Sequence, residues 1–433
     1  MTAPSPRFYG WTVVAAAFVV AVFGWGVGFY GPPIFLKAVR DARSWSVALV
    51  STAITMHFLV GAIAVANLPK LYRRFGLAPV TVAGAASLAF GVAGWACAVA
   101  PWQLFAATLF SGAGWVALGA AGINAMVSPW FNHRRPAALS TAYNGASIGG
   151  MIFSPLWVAL IGLGGFPVAS VSIGTVLVAV IFILSVRVLG RTPGSMGLAP
   201  DGEDILSISA SVGGPAPQPP VKSLWYDRAF LTLASGMALG LFAQIGLIAH
   251  LFSLLVPAMG ARGAGLAASL ATGSAIAGRT LVGWLMPAWA DRRLVGALNY
   301  SVQILGCCAF LAASGTNIPM LLLGVLLFGV GIGNATSMPP LIAQTEFAKA
   351  DVVRVVALIT AVSQASYAFA PALFGMIRDA TAPDASATVP ILFVTAAGFQ
   401  FLAALAYGAG RGSFRSRIPL SGSVDRIVLD LSQ

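Results

Sequence analysis

Apolar residues run in long unbroken stretches along this chain, and the polar ones are confined to short gaps between them. Twelve stretches of about 20 residues or more can be drawn, the length a helix needs to cross the hydrocarbon core of a bilayer. They cover 9–38, 45–68, 77–100, 104–127, 136–163, 167–189, 229–257, 264–289, 294–313, 318–343, 352–377 and 389–410. In hydrocarbon a spanning segment must satisfy its own backbone groups, which leaves helices for runs of this length. The expected fold is therefore all-α, an integral membrane protein with twelve transmembrane helices.

The gap between the sixth and seventh runs differs from the others. It holds PGSMGLAPDGED and GGPAPQPP, polar and rich in proline and glycine, and reads as a flexible linker. The expected organisation is a first six-helix bundle over 1–190, a cytosolic linker over 191–227, a second six-helix bundle over 228–410 and a cytosolic tail over 411–433. The two bundles read as copies. Arg74 and Arg292, each after the second run of its bundle, are 218 positions apart; Gly112 and Gly114 match Gly329 and Gly331 at 217; Ser147 and Pro155 match Ser363 and Pro371 at 216. A near-constant offset of about half the chain points to duplication of a six-helix unit.

Composition agrees with the pattern. The chain is 58% hydrophobic and 8% charged, with a mean hydropathy of +0.89, against about 25% charged residues in a soluble domain. The net charge of +12 is scattered over short loops, which points to anionic lipid headgroups and not to nucleic acid. Of the 24 Lys and Arg residues, 18 fall at the termini and in the even-numbered loops and five in the odd-numbered loops. By the positive-inside rule both termini are expected in the cytoplasm, the chain being multi-pass in the cell's inner (plasma) membrane. The first run, starting at Tyr9, is too long for a signal-peptide core and is read as a retained span. Cys97, Cys307 and Cys308 all lie in apolar runs and carry neither a disulfide framework nor a metal spacing. Short loops hold no metal cluster, phosphate loop or nucleophile–base pair, so neither an enzyme nor a bound cofactor is expected.

Arg279 breaks the apolar pattern. It lies 12 residues before Asp291, about 18 Å inside a helix at 1.5 Å per residue, near the middle of a core about 30 Å thick. An arginine there costs about 2.5–3.5 kcal/mol. Intramembrane charges are functional by default, and a guanidinium presents a planar fork that matches a carboxylate. The expectation is a site for a small anion between the two bundles. The alternative is an arginine held by backbone carbonyls or reaching to the interface. His250, in the seventh run, is placed near it, either contacting substrate, carrying a proton, or simply bonded to a neighbouring helix. Asn144 and Ser147 share a face of the fifth run with Met151, while Gly145, Gly149 and Gly150 allow close helix approach. Gln364 and Tyr367 in the eleventh run share a face in the same way. Tyr30, in GFYGPP at the end of the first run, is read as a gate or an interfacial aromatic, and Trp11, Trp102 and Trp225 as interfacial anchors. His57 is expected to be a structural histidine and His133 a solvated one.

Twelve spans, a duplicated unit and a central linker resemble the major facilitator superfamily. Its signature loop after the second span, G-x-L-a-D-R-x-G, has as counterpart here Pro69-Lys70-Leu71-Tyr72-Arg73-Arg74-Phe75-Gly76, with Arg73 where the aspartate belongs. The copy after the eighth span keeps Asp291-Arg292. The resemblance implies gating roles for Asp291, Arg292, Arg73 and Arg74, with the first copy altered. Four shorter stretches are similar to the monocarboxylate and oxalate–formate transporter type: Phe8-Tyr9-Gly10-Trp11; Trp130-Phe131-Asn132-His133-Arg134-Arg135-Pro136; Gly197-Leu198-Ala199-Pro200-Asp201-Gly202; and His250 followed by Arg279. In such relatives the arginine of span eight pairs with the substrate carboxylate, a role that carries onto Arg279. The lysine that the oxalate-handling branch has in span eleven is missing from Thr360-Ala361-Val362-Ser363-Gln364-Ala365-Ser366, which favours a monoanion. A monomeric secondary transporter of a small organic monoanion, a monocarboxylate foremost, is expected, as symporter or antiporter and with a co-transported proton as an option. An exporter of hydrophobic compounds and a non-transporting ligand sensor of the same fold are the alternatives.

Overall fold

The computed structural model describes residues 8–132, 134–202, 224–287, 289–381 and 389–411. The expectations for His133, for most of the linker and for the tail after Arg411 fall outside these residues. Among them every regular element is helical. The principal helices in chain order are α1 (Gly10–Gly28), α2 (Pro32–Arg43), α3 (Val47–Phe75), α4 (Leu77–Cys97), α5 (Pro101–Leu118), α6 (Ala120–Val127), α7 (Arg135–Leu184), α8 (Arg228–Leu285), α9 (Arg292–Ala312), α10 (Ile318–Glu346), α11 (Lys349–Tyr367), α12 (Ala370–Thr381) and α13 (Pro390–Ala409). The described linker residues form short 3-10 turns, and Asp201 accepts hydrogen bonds there from the backbone N–H groups of Asn132 (2.9 Å) and Arg134 (3.2 Å).

Ten segments among the described residues are long and apolar enough to cross a membrane. Two of these are double. Helix α7 breaks at Gly165 (φ 76°, ψ 169°) and α8 at Gly260 (φ 67°, ψ 171°). Both positions need the left-handed side of the map, open to glycine without a Cβ penalty. Each break leaves two arms (135–164 and 166–184; 261–285 after 228–259), which is consistent with the twelve expected runs. Three runs that hydropathy draws as continuous are interrupted within the fold: at 29–31 between α1 and α2, at Gly119 between α5 and α6, and at 368–369 between α11 and α12. Pro32, Pro33 and Pro371 stand at the start of the second piece in two of the three. A proline ring disfavours helix in the turn before it, and hydropathy carries no record of that.

Equivalent glycines make equivalent contacts in the two halves. A Cβ at Gly112 on α5 would strike the His57 carbonyl of α3; one at Gly329 on α10 would lie 2.6 Å from the Ala271 carbonyl of α8. Gly114 faces α4 in the first half, as Gly331 faces α9 in the second. The 217-residue offset is thus repeated in which helix meets which.

The hydrogen bonds that cross between the halves lie toward the odd-numbered loops. Asp379, in the last turn of α12, caps the start of α3 by accepting from Val47 N (3.1 Å, Oδ1) and Ala48 N (2.7 Å, Oδ2). Ala372 N donates to Thr55 Oγ1 at 3.1 Å, and Ser269 Oγ donates to the Met151 carbonyl at 2.7 Å. Apolar contacts agree: a Cβ at Gly150 would lie 2.6 Å from the Thr272 methyl and 2.7 Å from the Tyr30 ring, and one at Gly375 would meet Ser51. The halves therefore close on each other in a layer built from α2, α3 and α7 on one side and α8 and α12 on the other.

Candidate functional site

Arg279 sits seven residues beyond Thr272 on the second arm of α8, two turns or about 10 Å from that layer along the helix. Helix α10 runs unusually close here, because Gly278 and Gly333 put backbone against backbone. The closeness lets Arg279 Nε donate to the Gly333 carbonyl at 3.3 Å, the one hydrogen bond its side chain makes among the described residues. With its base held on α10, the fork formed by Nη1 and Nη2 is left for another acceptor. Across the interface the Tyr30 hydroxyl lies within electrostatic range of the guanidinium. No described carboxylate pairs with Arg279.

A fully buried arginine elsewhere in the second half is bonded quite differently. Arg293 is 1% exposed. Its Nε and Nη2 meet Glu346 Oε1 and Oε2 at 2.6 and 2.8 Å, Nη1 donates to Thr232 Oγ1 at 2.9 Å, and Nη2 also reaches the Ala229 carbonyl at 2.8 Å. Each of its three nitrogens is bonded, so Arg293 is a strut joining α8, α9 and α10. Hydropathy had counted it among the loop bases, since a buried ion pair at a helix end has the composition of a solvated one.

The other sequence-derived candidates divide into groups. Tyr30 is brought to Arg279. Asn144 is half-buried and Ser147 buried on the first arm of α7, whose Gly145 and Gly149 pack on the α1 backbone at Phe18 and Val22. Gln364 and Tyr367 are half-buried at the end of α11, with the Tyr367 ring 6.1 Å from that of Phe58. His250 is fully buried; its Nε2 donates to the Pro371 carbonyl at 3.2 Å, and its electrostatic neighbours are Arg378 and Arg40. The structure brings Tyr30 to Arg279 and His250 to a different pair of cations. Thr272 and Ser269 were not singled out from the sequence. Thr272 and Arg279, seven apart, share a helix face, and that spacing was the available signal.

Of the residues given gating roles, Asp291 caps α9 by accepting from Arg293 N (3.0 Å) and Leu294 N (3.1 Å), and pairs with Arg411 Nε at 2.6 Å. Arg292 Nη1 donates to the Leu341 carbonyl of α10 at 2.6 Å. Arg73 and Arg74 are exposed, Arg74 lying 5.1 Å from the centre of the Phe75 ring. His57 is bonded on both nitrogens, Nε2 to the Gly28 carbonyl and Nδ1 to Ser111 Oγ, each at 2.9 Å, while Trp95 Nε1 donates to the same hydroxyl at 3.2 Å.

Comparison with known proteins adds the family. The family model of the Major Facilitator Superfamily matches residues 10–371. Similar solved structures include a bacterial homologue of the human lysosomal transporter Spinster, inward-facing and occupied, at 15% identity and a TM-score of 0.70, covering 95% of this chain and 99% of that one. The same homologue in its inward-facing, unoccupied form has 16% identity and a TM-score of 0.67 over 96% and 100% of the two chains. The nucleoside transporter NupG is similar at 12% identity and a TM-score of 0.67, covering 93% and 99%. No curated protein matches the chain. A family match over most of the chain, on an all-helical fold with ten described segments long and apolar enough to cross a membrane, means that this chain belongs to the major facilitator superfamily of membrane transporters.

Proposed function

We propose that the protein is a secondary transporter of a small organic monoanion, a monocarboxylate foremost, and that Arg279 pairs with the carboxylate. The observation that carries this reading is the contrast between Arg293, bonded through all three guanidinium nitrogens, and Arg279, bonded through Nε alone with Tyr30 of the first half in electrostatic range. An unpaired cation in a low-dielectric interior is costly, and a carboxylate accepted in two parallel hydrogen bonds removes that cost. Closure in a layer toward the odd-numbered loops supports an inward-facing state, in which a solute reaches Arg279 from the side that carries the termini. Asn144, Ser147, Gln364 and Tyr367 are the further polar groups that this reading assigns to the solute's path.

The test is uptake of labelled lactate, pyruvate or formate into proteoliposomes. A charged hydrogen-bonded pair is worth about 1.5–3 kcal/mol, or about 10–150-fold. Arg279→Ala is expected to lower uptake by about that factor, and Arg279→Lys, which keeps the charge and loses the fork, by less. Undiminished uptake in both variants would remove Arg279 from the mechanism.

A further inference from the structure

A second cluster of cations lies at the odd-loop end of the molecule, away from Arg279. Arg378, in the last turn of α12, is 2% exposed and makes one side-chain hydrogen bond among the described residues, from Nη1 to Ser253 Oγ at 2.5 Å. It lines a cavity of about 410 Å³ enclosed by the outer end of the first arm of α8, the turn between α9 and α10, and the start of α13. Leu254, Leu255 and Phe393 form apolar walls, and Ser314 and Thr316 supply hydroxyls at the rim. Arg40 of α2 and His250 of α8 lie within electrostatic range of Arg378 and of each other.

The polar groups of this cluster are incompletely used. Arg40 Nε and His250 Nδ1 are buried without a hydrogen-bond partner. With His250 Nε2 donating to the Pro371 carbonyl, a neutral ring leaves Nδ1 as an empty acceptor, so the positive charge belongs to the two guanidiniums. The one carboxylate in electrostatic range of Arg378 is Asp379, and its two oxygens are engaged at the start of α3. Two like charges held together in a buried site repel, and a buried ion without a counter-charge is costly. A polar void beside an unsaturated guanidinium also differs from an apolar packing defect, which stays dry.

We infer that Arg378, the cavity it lines and Arg40 in electrostatic range of it form an oxyanion-binding site separate from Arg279. Its ligand is a small oxyanion, carboxylate or phosphate, whose oxygens take the unused guanidinium donors. Arg40 belongs to the first half and Arg378 to the second, so a bound anion ties the halves together in the layer that Asp379 already clamps. The site stands independently of the cargo assigned to Arg279 and holds whether or not that assignment does. A free solute and the phosphate of a lipid headgroup are the two sources that offer this chemistry.

The experiment is thermal unfolding of the full-length protein in detergent, with sodium phosphate and, separately, sodium acetate titrated against sodium chloride at constant ionic strength. A ligand that binds the folded state raises Tm in a saturable way. The expected result is such a rise in the parent protein and in Arg279→Gln, with apparent affinity at least tenfold weaker in Arg378→Gln and in Arg40→Gln. Arg40 is only partly buried, so its variant keeps the test usable if Arg378→Gln fails to fold, and Arg378→Lys is expected to fall between parent and Arg378→Gln. Anionic phospholipid retained through purification and seen by native mass spectrometry in the parent, and lost in both Gln variants, would support the same site with a headgroup as its ligand. A rise that survives in Arg378→Gln and Arg40→Gln and vanishes in Arg279→Gln would overturn the proposal, placing the anion at Arg279. No saturable rise with either anion, together with no retained lipid, would overturn it as well.

Discussion

The two halves share a plan and divide the work. In the first half the buried histidine is closed on its neighbours, His57 being bonded on both nitrogens and Trp95 sharing the Ser111 hydroxyl with it, and Arg40 Nε is the buried cationic nitrogen described there. What that half offers its partner is aromatic. Trp25, Phe29, Phe58 and Trp115 pack edge to face or tilted with centroids 5.5–6.3 Å apart, and Tyr30 closes over Gly150. The second half carries two fully buried guanidiniums, Arg293 and Arg378, and the half-buried Arg279, together with a chain of amides in which Gln303 Oε1 accepts from Gln244 at 3.2 Å and Gln400 at 3.1 Å. Duplication supplied two similar scaffolds; in the transporter we propose, the half richer in buried guanidiniums would hold the anion and the aromatic half would face it.

The contrast is sharpest in the loop after the second span of each half. In the second half, Asp291, Arg292 and Arg293 are bonded to α9, α10, Arg411 and Glu346. In the first, Arg73 and Arg74 are exposed and Arg73 occupies the aspartate position. Removing a pair from the second loop should therefore hurt far more than editing the first. Glu346→Ala strands a buried guanidinium and is expected to cost about 3–5 kcal/mol, enough to collapse yield or Tm in size-exclusion thermostability measurements, whereas Arg74→Ala should stay within about 0.5 kcal/mol of the parent. Equal losses would erase the distinction.

A smaller effect is expected where the halves meet. Asp379→Ala removes a cap from α3, worth about 0.5–2 kcal/mol, and should favour the state in which this layer is open. With Cys97, Cys307 and Cys308 replaced by Ser, a Ser51→Cys probe sits against Gly375 inside the layer. Its labelling by a membrane-impermeant thiol reagent should quicken by about 2–30-fold in the Asp379→Ala background. An unchanged rate would mean that the carboxylate does not hold the layer shut.

The smallest effect concerns pH. Asp291 is partly buried, which raises the pKa of its carboxyl, but the Arg411 side chain and the α9 N–H groups outweigh this and hold it below the usual carboxylate value. A depressed pKa gives stability that is present above the unfolded value of about 4 and is lost as pH falls through the folded one. Asp291→Asn keeps a good cap and loses the charge, and the pair is largely solvent-screened. The variant should therefore sit less than about 1 kcal/mol below the parent at neutral pH, with the difference closing as the medium is acidified. A gap that widens in acid would reverse the assignment.

Much of this arrangement is legible in the residues. The apolar runs predict where helices fall, and the constant offset predicts the paired contacts of Gly112 with α3 and Gly329 with α8. Helix breaks at 29–31, Gly119 and 368–369 were hidden, because they leave hydropathy unchanged. Arg279 stands out in sequence because apolar residues surround it. Arg378 and Arg293 do not, because each lies near a run's end, where a buried cation and a solvated one have the same neighbours in sequence and differ only in what packs over them. His250 was readable as a buried histidine, but its neighbours Arg40 and Arg378 come from α2 and α12, far away along the chain.

Tyr30 stands beside Arg279 and also closes over Gly150 and Thr272. In the transporter we propose, a carboxylate resting on the guanidinium would meet the phenol at once. A short acid would leave that ring in place, whereas a long acyl chain anchored at the same point would have to push it aside. Chain length alone should then separate passengers from blockers.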